Sequence, residues 1–335
     1  MPMFRPHAFL ALLPVLAFLG ALVSLDSYKL VRLPSVLSTI LLGVVAAAAA
    51  LVVNESLAGQ TGLPWTTFVR YVSPVTEETL KVALLVLLFA RNRIGFMVDA
   101  AIRGFALGAG FATLENLSYL WLRPEADLSL WIIRGFGTAM MHGGVTAIAG
   151  IMTQSLLERQ RHGLFPAFLP GLAAAMVIHS LFNHFLLSPL LTTVLILIIL
   201  PLLVILVFRE SEKRTRHWLG VGFDSDQALL AMVTTGVLAE NRIGAYLHSL
   251  QGRFPGEVVA DMLCYLRLHL ELALRAKGML LMRDAGFEVP PDPSLRAQFE
   301  ELRYLEKSIG ATGRLALHPF LHTRTRDLWQ ITMLR

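Results

Sequence analysis

Long apolar runs alternate with short polar connectors as far as Phe208, after which the chain changes character. Seven runs, roughly 8–25, 34–53, 72–90, 94–122, 130–156, 166–187 and 189–208, lie near or above the length of about 20 residues that crosses a bilayer as a helix. They predict an all-α fold, a polytopic membrane bundle of about seven transmembrane helices. The fourth and fifth runs are long and contain Arg103 and Arg134, which predicts tilt or extension beyond the membrane. Only Ser188 and Pro189 part the sixth run from the seventh, the signature of a tight helical hairpin. Beyond 208, apolar residues recur at helical spacing near 225–240, 256–284, 292–308 and 323–333, with Pro290, Pro291 and Pro293 breaking the chain between the second and third. The chain therefore divides into a transmembrane domain, 1–208, with a core at 70–190, and a helical soluble domain, 209–335.

Composition supports this division. The 335 residues are 55% hydrophobic, with a mean hydropathy of +0.61. Charged residues make up about a tenth of the chain before Phe208 and about a quarter after it, the second being an ordinary soluble value. The single cysteine, Cys264, excludes an intrachain disulfide, a cysteine zinc cluster and a cysteine nucleophile in the apolar part. The net charge of +5 sits largely in short loops and reads as a topology signal, with no nucleic-acid partner implied. Lys29 and Arg32, Arg91 and Arg93, Arg159 and Arg161, and Arg209, Lys213, Arg214 and Arg216 fall in alternate connectors, whereas the opposite ones hold only Arg5, Arg70 and Arg123. Basic residues stay in the cytoplasm, so the N-terminus is expected outside and the C-terminal domain inside, most simply at the plasma membrane. A cleaved signal peptide is the rival reading of the first run; its length, and the lack of a small-residue cleavage pair after it, favour a span.

The acids and histidines change the picture most. Glu77, Glu78, Lys81, Glu115, His142 and His179 lie inside or at the rim of the apolar runs. One ionised side chain at mid-membrane costs roughly 2.5–3.5 kcal/mol, so several together must share partners, line water or do chemistry. Each has an ordinary structural explanation. Acids at a helix start suit the helix dipole, and Glu77 or Glu78 can pair with Lys81. Glu115 with Asn116 can join helices, and a lone membrane histidine is commonly a packing residue. Depth argues for a shared site. At about 1.5 Å per residue, Glu77 and Glu78 sit about one turn below the outer surface and Glu115 about two. His179 falls in the outer half and His142 nearest the middle. His179 and Asn183 share a helix face, being four apart, whereas His184 points elsewhere. A wet cavity in the outer half of the bilayer accounts for all of these.

Such a set can hydrolyse an amide in two ways. A glutamate can deprotonate water while histidines and an asparagine hold the oxyanion. Alternatively, Glu115, His142 and His179 can bind a metal, most simply zinc, and lower the pKa of its water. No HExxH, GxSxG or GxGD motif offers another route.

The ordered set Glu77-Glu78-x-x-Lys81, Phe111-x-x-x-Glu115-Asn116, His142 and His179-x-x-x-Asn183 resembles the PrsW family of intramembrane proteases, grouped with the CAAX prenyl proteases and bacteriocin-immunity-type membrane proteins. The resemblance covers about 70–190. It implies a polytopic metallo- or glutamate-type endopeptidase. Glu77 and Glu78 would be the paired glutamates, Glu115 the second-motif acid, and His142 and His179 the two histidines. Some relatives end the last motif with aspartate; Asn183 stands there in this chain, so a carboxylate is not essential at that position. The expected function is hydrolysis of a peptide bond in a membrane protein, such as a single-span regulator. Catalytic roles fall to Glu77, Glu78, Glu115, His142, His179 and Asn183, with Lys81 and Asn116 in support. A proton-coupled transporter and a non-catalytic peptide-binding scaffold are the alternatives.

Overall fold

Proline and glycine set the ends of the first long helices in the computed structural model, which describes residues 6–123, 125–159, 163–235, 242–290, 292–321 and 325–334. Helix α1 is Pro6–Leu25, and α2, Leu33–Thr61, opens with Pro34 in its first turn and closes on Gly62, at φ 60°. Then follow α3 (Ser73–Ala90), α4 (Met97–Leu122), α5 (Ala139–Glu158), α6 (Leu164–His184), α7 (Pro189–Thr235), α8 (Arg242–Leu250), α9 (Gly256–Asp284), α10 (Ser294–Leu317) and α11 (Thr325–Leu334). No strand occurs among the described residues. Arg5, Arg161, Pro291 and residues 236–240 and 323–324, which entered the sequence expectations, lie outside the described residues.

The first seven helices fall on the seven apolar runs. Four of them, α2, α4, α6 and α7, are long and apolar enough to cross a membrane. Three of these turn apolar surface outward, with only 17–33% of their apolar windows buried, as lipid-facing helices do. Helix α4 differs: 89% of its window is buried, because α1, α2 and α5 pack around it. Close approach to α5 requires glycine. A Cβ at Gly104 would stand 2.6 Å from the Thr146 carbonyl oxygen, and one at Gly108 would stand 2.2 Å from that of His142. The small residues therefore set how near His142 comes to α4.

Arg103 and Arg134 both find counter-ions inside the bundle: Arg103 pairs with Asp99 at 2.7 Å and Arg134 with Glu115 at 3.0 Å. The end of the seventh apolar run is not the end of its helix. Residues 209–217 are mostly charged helix formers, and α7 continues through them to Thr235.

The chain forms two compact units, Met1–Ser211 and Glu212–Arg335. In the second, α9 packs against α10 and α11 around Met262, Leu266, Leu270, Leu302, Leu305 and Ile309. Inside it, Lys277 is fully buried and pairs with Asp226 at 2.5 Å. Helix α8 was not expected from the sequence, and α10 runs on to Leu317 across a kink at Gly310, φ 65°.

Candidate active site

Two helices that carry the candidate residues are entered through π-helical turns, Phe68–Val72 before α3 and Ile133–Thr138 before α5. The first removes the helix-start explanation for Glu77 and Glu78: the backbone is already helical from Trp65. Pro74 has no N–H to give, so the widened turn leaves the carbonyls of Val69 and Arg70 in need of donors. Helix α6 provides them. Ser180 Oγ donates to the Arg70 oxygen at 2.6 Å and Asn183 Nδ2 to the Val69 oxygen at 2.9 Å. The amide of Asn183 is thus engaged by backbone next to the acids, and His179, one turn earlier, is the residue of α6 that reaches them.

Glu78 is the centre of the group. Its side chain is completely buried, and Oε1 accepts from Lys81 Nζ at 2.5 Å and from His179 Nδ1 at 2.7 Å. Its other oxygen, Oε2, is buried and has no hydrogen-bond partner. Lys81 also donates to His142 Nδ1 at 3.1 Å and lies over the Phe111 ring at 4.7 Å. Phe111, one turn before Glu115 on α4, thus floors the site. The rings of His142 and His179 meet edge to face, 4.8 Å between centres.

The partners assign both histidine tautomers. An ammonium can only donate, so His142 Nδ1 accepts and its Nε2–H donates to Glu115 Oε2, at 2.9 Å. A carboxylate can only accept, so His179 Nδ1–H donates to Glu78 and Nε2 keeps its lone pair, 3.9 Å from Glu77 Oε2. Each imidazole is thus backed by a carboxylate, the arrangement that orients metal-binding histidines. Glu77 is itself held by Ser73 Oγ and by Asn54 Nδ2, the latter at 3.2 Å.

Glu77, His142 and His179 each offer a ligand atom, all within 4.8 Å of one another. A carboxylate and two neutral imidazoles suit a zinc-like divalent ion. The unpartnered Glu78 Oε2 beside them suits a proton acceptor for bound water. Glu77 stands in this group where Glu115 was expected, and Glu115 instead stands behind His142. Glu77 and Glu115 are the rim, with 13% and 24% of their side chains exposed, while Glu78, Lys81, His142 and His179 are sealed to 3% or less.

Three participants escaped the sequence reading. Arg134 pairs with Glu115 and donates to Asn116 Oδ1 at 2.9 Å. Asn54 and Ser73 hold Glu77. For Arg134 the signal was present: a cation inside an apolar run needs a partner as much as an anion does. Asn116 turns away from the acids and histidines, with its amide donating to the Ala11 carbonyl at 2.7 Å. His184 bonds within its own helix, to the Ser180 oxygen, as its position off the shared face predicts.

No curated protein and no solved structure matches the chain. A family model does: that of the PrsW family intramembrane metalloproteases matches residues 32–208, more than half of the chain and all four motifs. The chain belongs to the PrsW family of intramembrane metalloproteases, and is an integral membrane protease.

Proposed function

We propose that the protein cuts a peptide bond of a membrane-anchored protein at the Glu77–Glu78–His142–His179 cluster, in the outer half of the bilayer. The observation that carries this reading is the fully buried Glu78, one oxygen held by Lys81 and His179 and the other without a partner. A buried acceptor left open is costly unless something enters to use it, on the order of 1–3 kcal/mol. Water is the fitting occupant.

Glu77, His142 and His179 would hold the divalent ion. When bound, it would polarise the scissile carbonyl and make its water acidic. The protein's own groups do the rest. Lys81 keeps Glu78 ionised, and His179 fixes its orientation. Glu78 Oε2 accepts a proton from water as the water oxygen attacks the carbonyl carbon. The same proton then passes to the leaving amine as the C–N bond breaks, so atoms and charge balance. The substrate must enter as an unwound strand, since a helix hides its own carbonyls.

The outer-half assignment is supported by charge. Lys29, Arg32, Arg91, Arg93 and Arg159 lie at the ends of helices opposite the cluster, which sits near the start of α3 and toward the end of α4 and α6. Basic loops kept in the cytoplasm support an outside N-terminus, an inside C-terminal unit and a cut on the far side of the membrane. The test uses purified full-length protein in lipid with a panel of single-span peptides. The expected result is a cut mapping to the outer half of the peptide's span, abolished by chelation and restored by zinc. Peptides bound intact, with no product at any metal concentration, would replace the protease by a scaffold.

A further inference from the structure

Arg134 does not touch the residues proposed to bind metal and water, yet it is held from several sides. Its Nε donates to Asn116 Oδ1 at 2.9 Å, its Nη2 lies 3.0 Å from Glu115 Oε1, and its guanidinium stacks 3.5 Å from the centre of the Tyr119 ring. Asn116 is pinned in turn by the Ala11 carbonyl. The π-helical turn that carries Arg134 is seated tightly on α1: a Cβ at Gly135 would stand 1.8 Å from the Leu10 carbonyl oxygen. Helix α1 lies outside the matched residues 32–208, so this brace comes from a part of the chain beyond the family region.

A guanidinium held in this way has one free consequence. It fixes the second oxygen of Glu115, and Glu115 Oε2 accepts the Nε2–H of His142. We infer that Arg134 is a positioning residue for the metal ligand His142: through Glu115 it keeps the proton on Nε2 and turns the Nδ1 lone pair into the site. This inference rests on the metal-site reading above. Lys81 selects the same tautomer in the metal-free site, since its ammonium demands an acceptor at Nδ1; a bound ion would take that lone pair over from it. The partner one step behind a ligating histidine commonly contributes 10- to 100-fold in affinity, and Arg134 orients that partner.

The experiment measures zinc affinity of the full-length protein in lipid nanodiscs, by competition with a chromophoric chelator. Arg134→Gln is expected to weaken binding about 10-fold or more, and Arg134→Lys less, because it keeps a cation beside Glu115. In a Glu115→Gln background, Arg134→Gln should add less than about a twofold change, since the route through Glu115 is already cut. Equal losses in both backgrounds, or none in either, would overturn the inference. The double variant removes both charges of the pair together, so it is spared the unpaired carboxylate that Arg134→Gln alone leaves. Should the unsubstituted protein bind no zinc, the metal-site reading falls, and the nitrogen-15 shifts of the His142 ring decide the Arg134 question separately. A proton on Nε2 that is lost or scrambled in Arg134→Gln upholds it, and an unchanged ring contradicts it.

Discussion

Among the described residues, two lysine–carboxylate pairs of the same length are buried, one in each unit, and they are built for different ends. Lys81–Glu78 and Lys277–Asp226 are both 2.5 Å apart and almost wholly buried, and each lysine lies over an aromatic ring, Phe111 or Trp218. Lys277 spends a further hydrogen bond on a backbone carbonyl, that of Gly222, at 3.0 Å. Lys81 spends its own on a histidine, and its carboxylate partner binds a second histidine. A buried ion pair alone is weak evidence of a site, since such pairs also serve structure. What distinguishes the membrane pair is that its partners can themselves take or give protons or bind metal.

The glycines that make room for each pair separate the two roles most severely. An alanine Cβ at position 108 would stand 2.2 Å from the His142 carbonyl, which is rigid backbone. Gly108→Ala should therefore push α5 away and lower the turnover of a cleaved single-span peptide about 100-fold, as a misplacement near 1 Å can. At position 222 the Cβ would meet the Lys277 ammonium at 2.8 Å, the end of a flexible chain. Gly222→Ala should leave turnover within about twofold while destabilising the C-terminal unit by about 1–3 kcal/mol in chemical denaturation. Equal turnover losses in the two variants would mean that the pairs do not differ in role.

Asn183 gives a sharper and smaller effect. Its amide donates to the Val69 carbonyl exposed by Pro74. Asn183→Ala should cost about 1–2 kcal/mol and some turnover. Asn183→Asp should cost more, because an ionised carboxylate faces a carbonyl with no proton between them. An Asn183→Asp variant as stable and active as the parent would show that the amide is not acting as a donor.

The motif residues were legible because a polar group in an apolar run carries its own signal: Glu78, His142 and His179 do come together. Their bonding was not. That Glu77 joins the two histidines while Glu115 backs one of them depends on a few ångströms of helix rotation, set by Gly108 and by the two π-helical turns. Nothing in hydrophobic periodicity marks a π turn, although Pro74 after an unbroken run hints at the first. The extent of α7 was hidden for another reason: hydropathy reports where the apolar surface ends, and the helix does not end there.

The smallest effect concerns a third buried carboxylate, Asp26, just beyond α1, which takes hydrogen bonds from the backbone N–H groups of Leu30 and Val31. Burial pushes its pKa from 3.8 up to about 6, against the pull of those donors. The folded state thus holds this proton more tightly than the unfolded chain. The stability it contributes is fully present below pH 3.8 and is lost as pH rises through about 6. Asp26→Asn should therefore raise the thermal midpoint at pH 7.5, on the order of 1 kcal/mol after the weaker hydrogen bonds of the amide are counted, and change little at pH 4. Peptide turnover should stay as it is.

The most direct test of the whole account sets the two ion pairs side by side in one assay, Glu78→Gln against Asp226→Asn, each purified in full and offered the same cleavable single-span peptide in lipid. Glu78→Gln should lose 100-fold or more in turnover, the scale of a general base, with its fold intact. Asp226→Asn should give a less stable C-terminal unit whose folded fraction still cuts at the parent's rate. Cleavage that survives Glu78→Gln would contradict the assignment of Glu78 as the base.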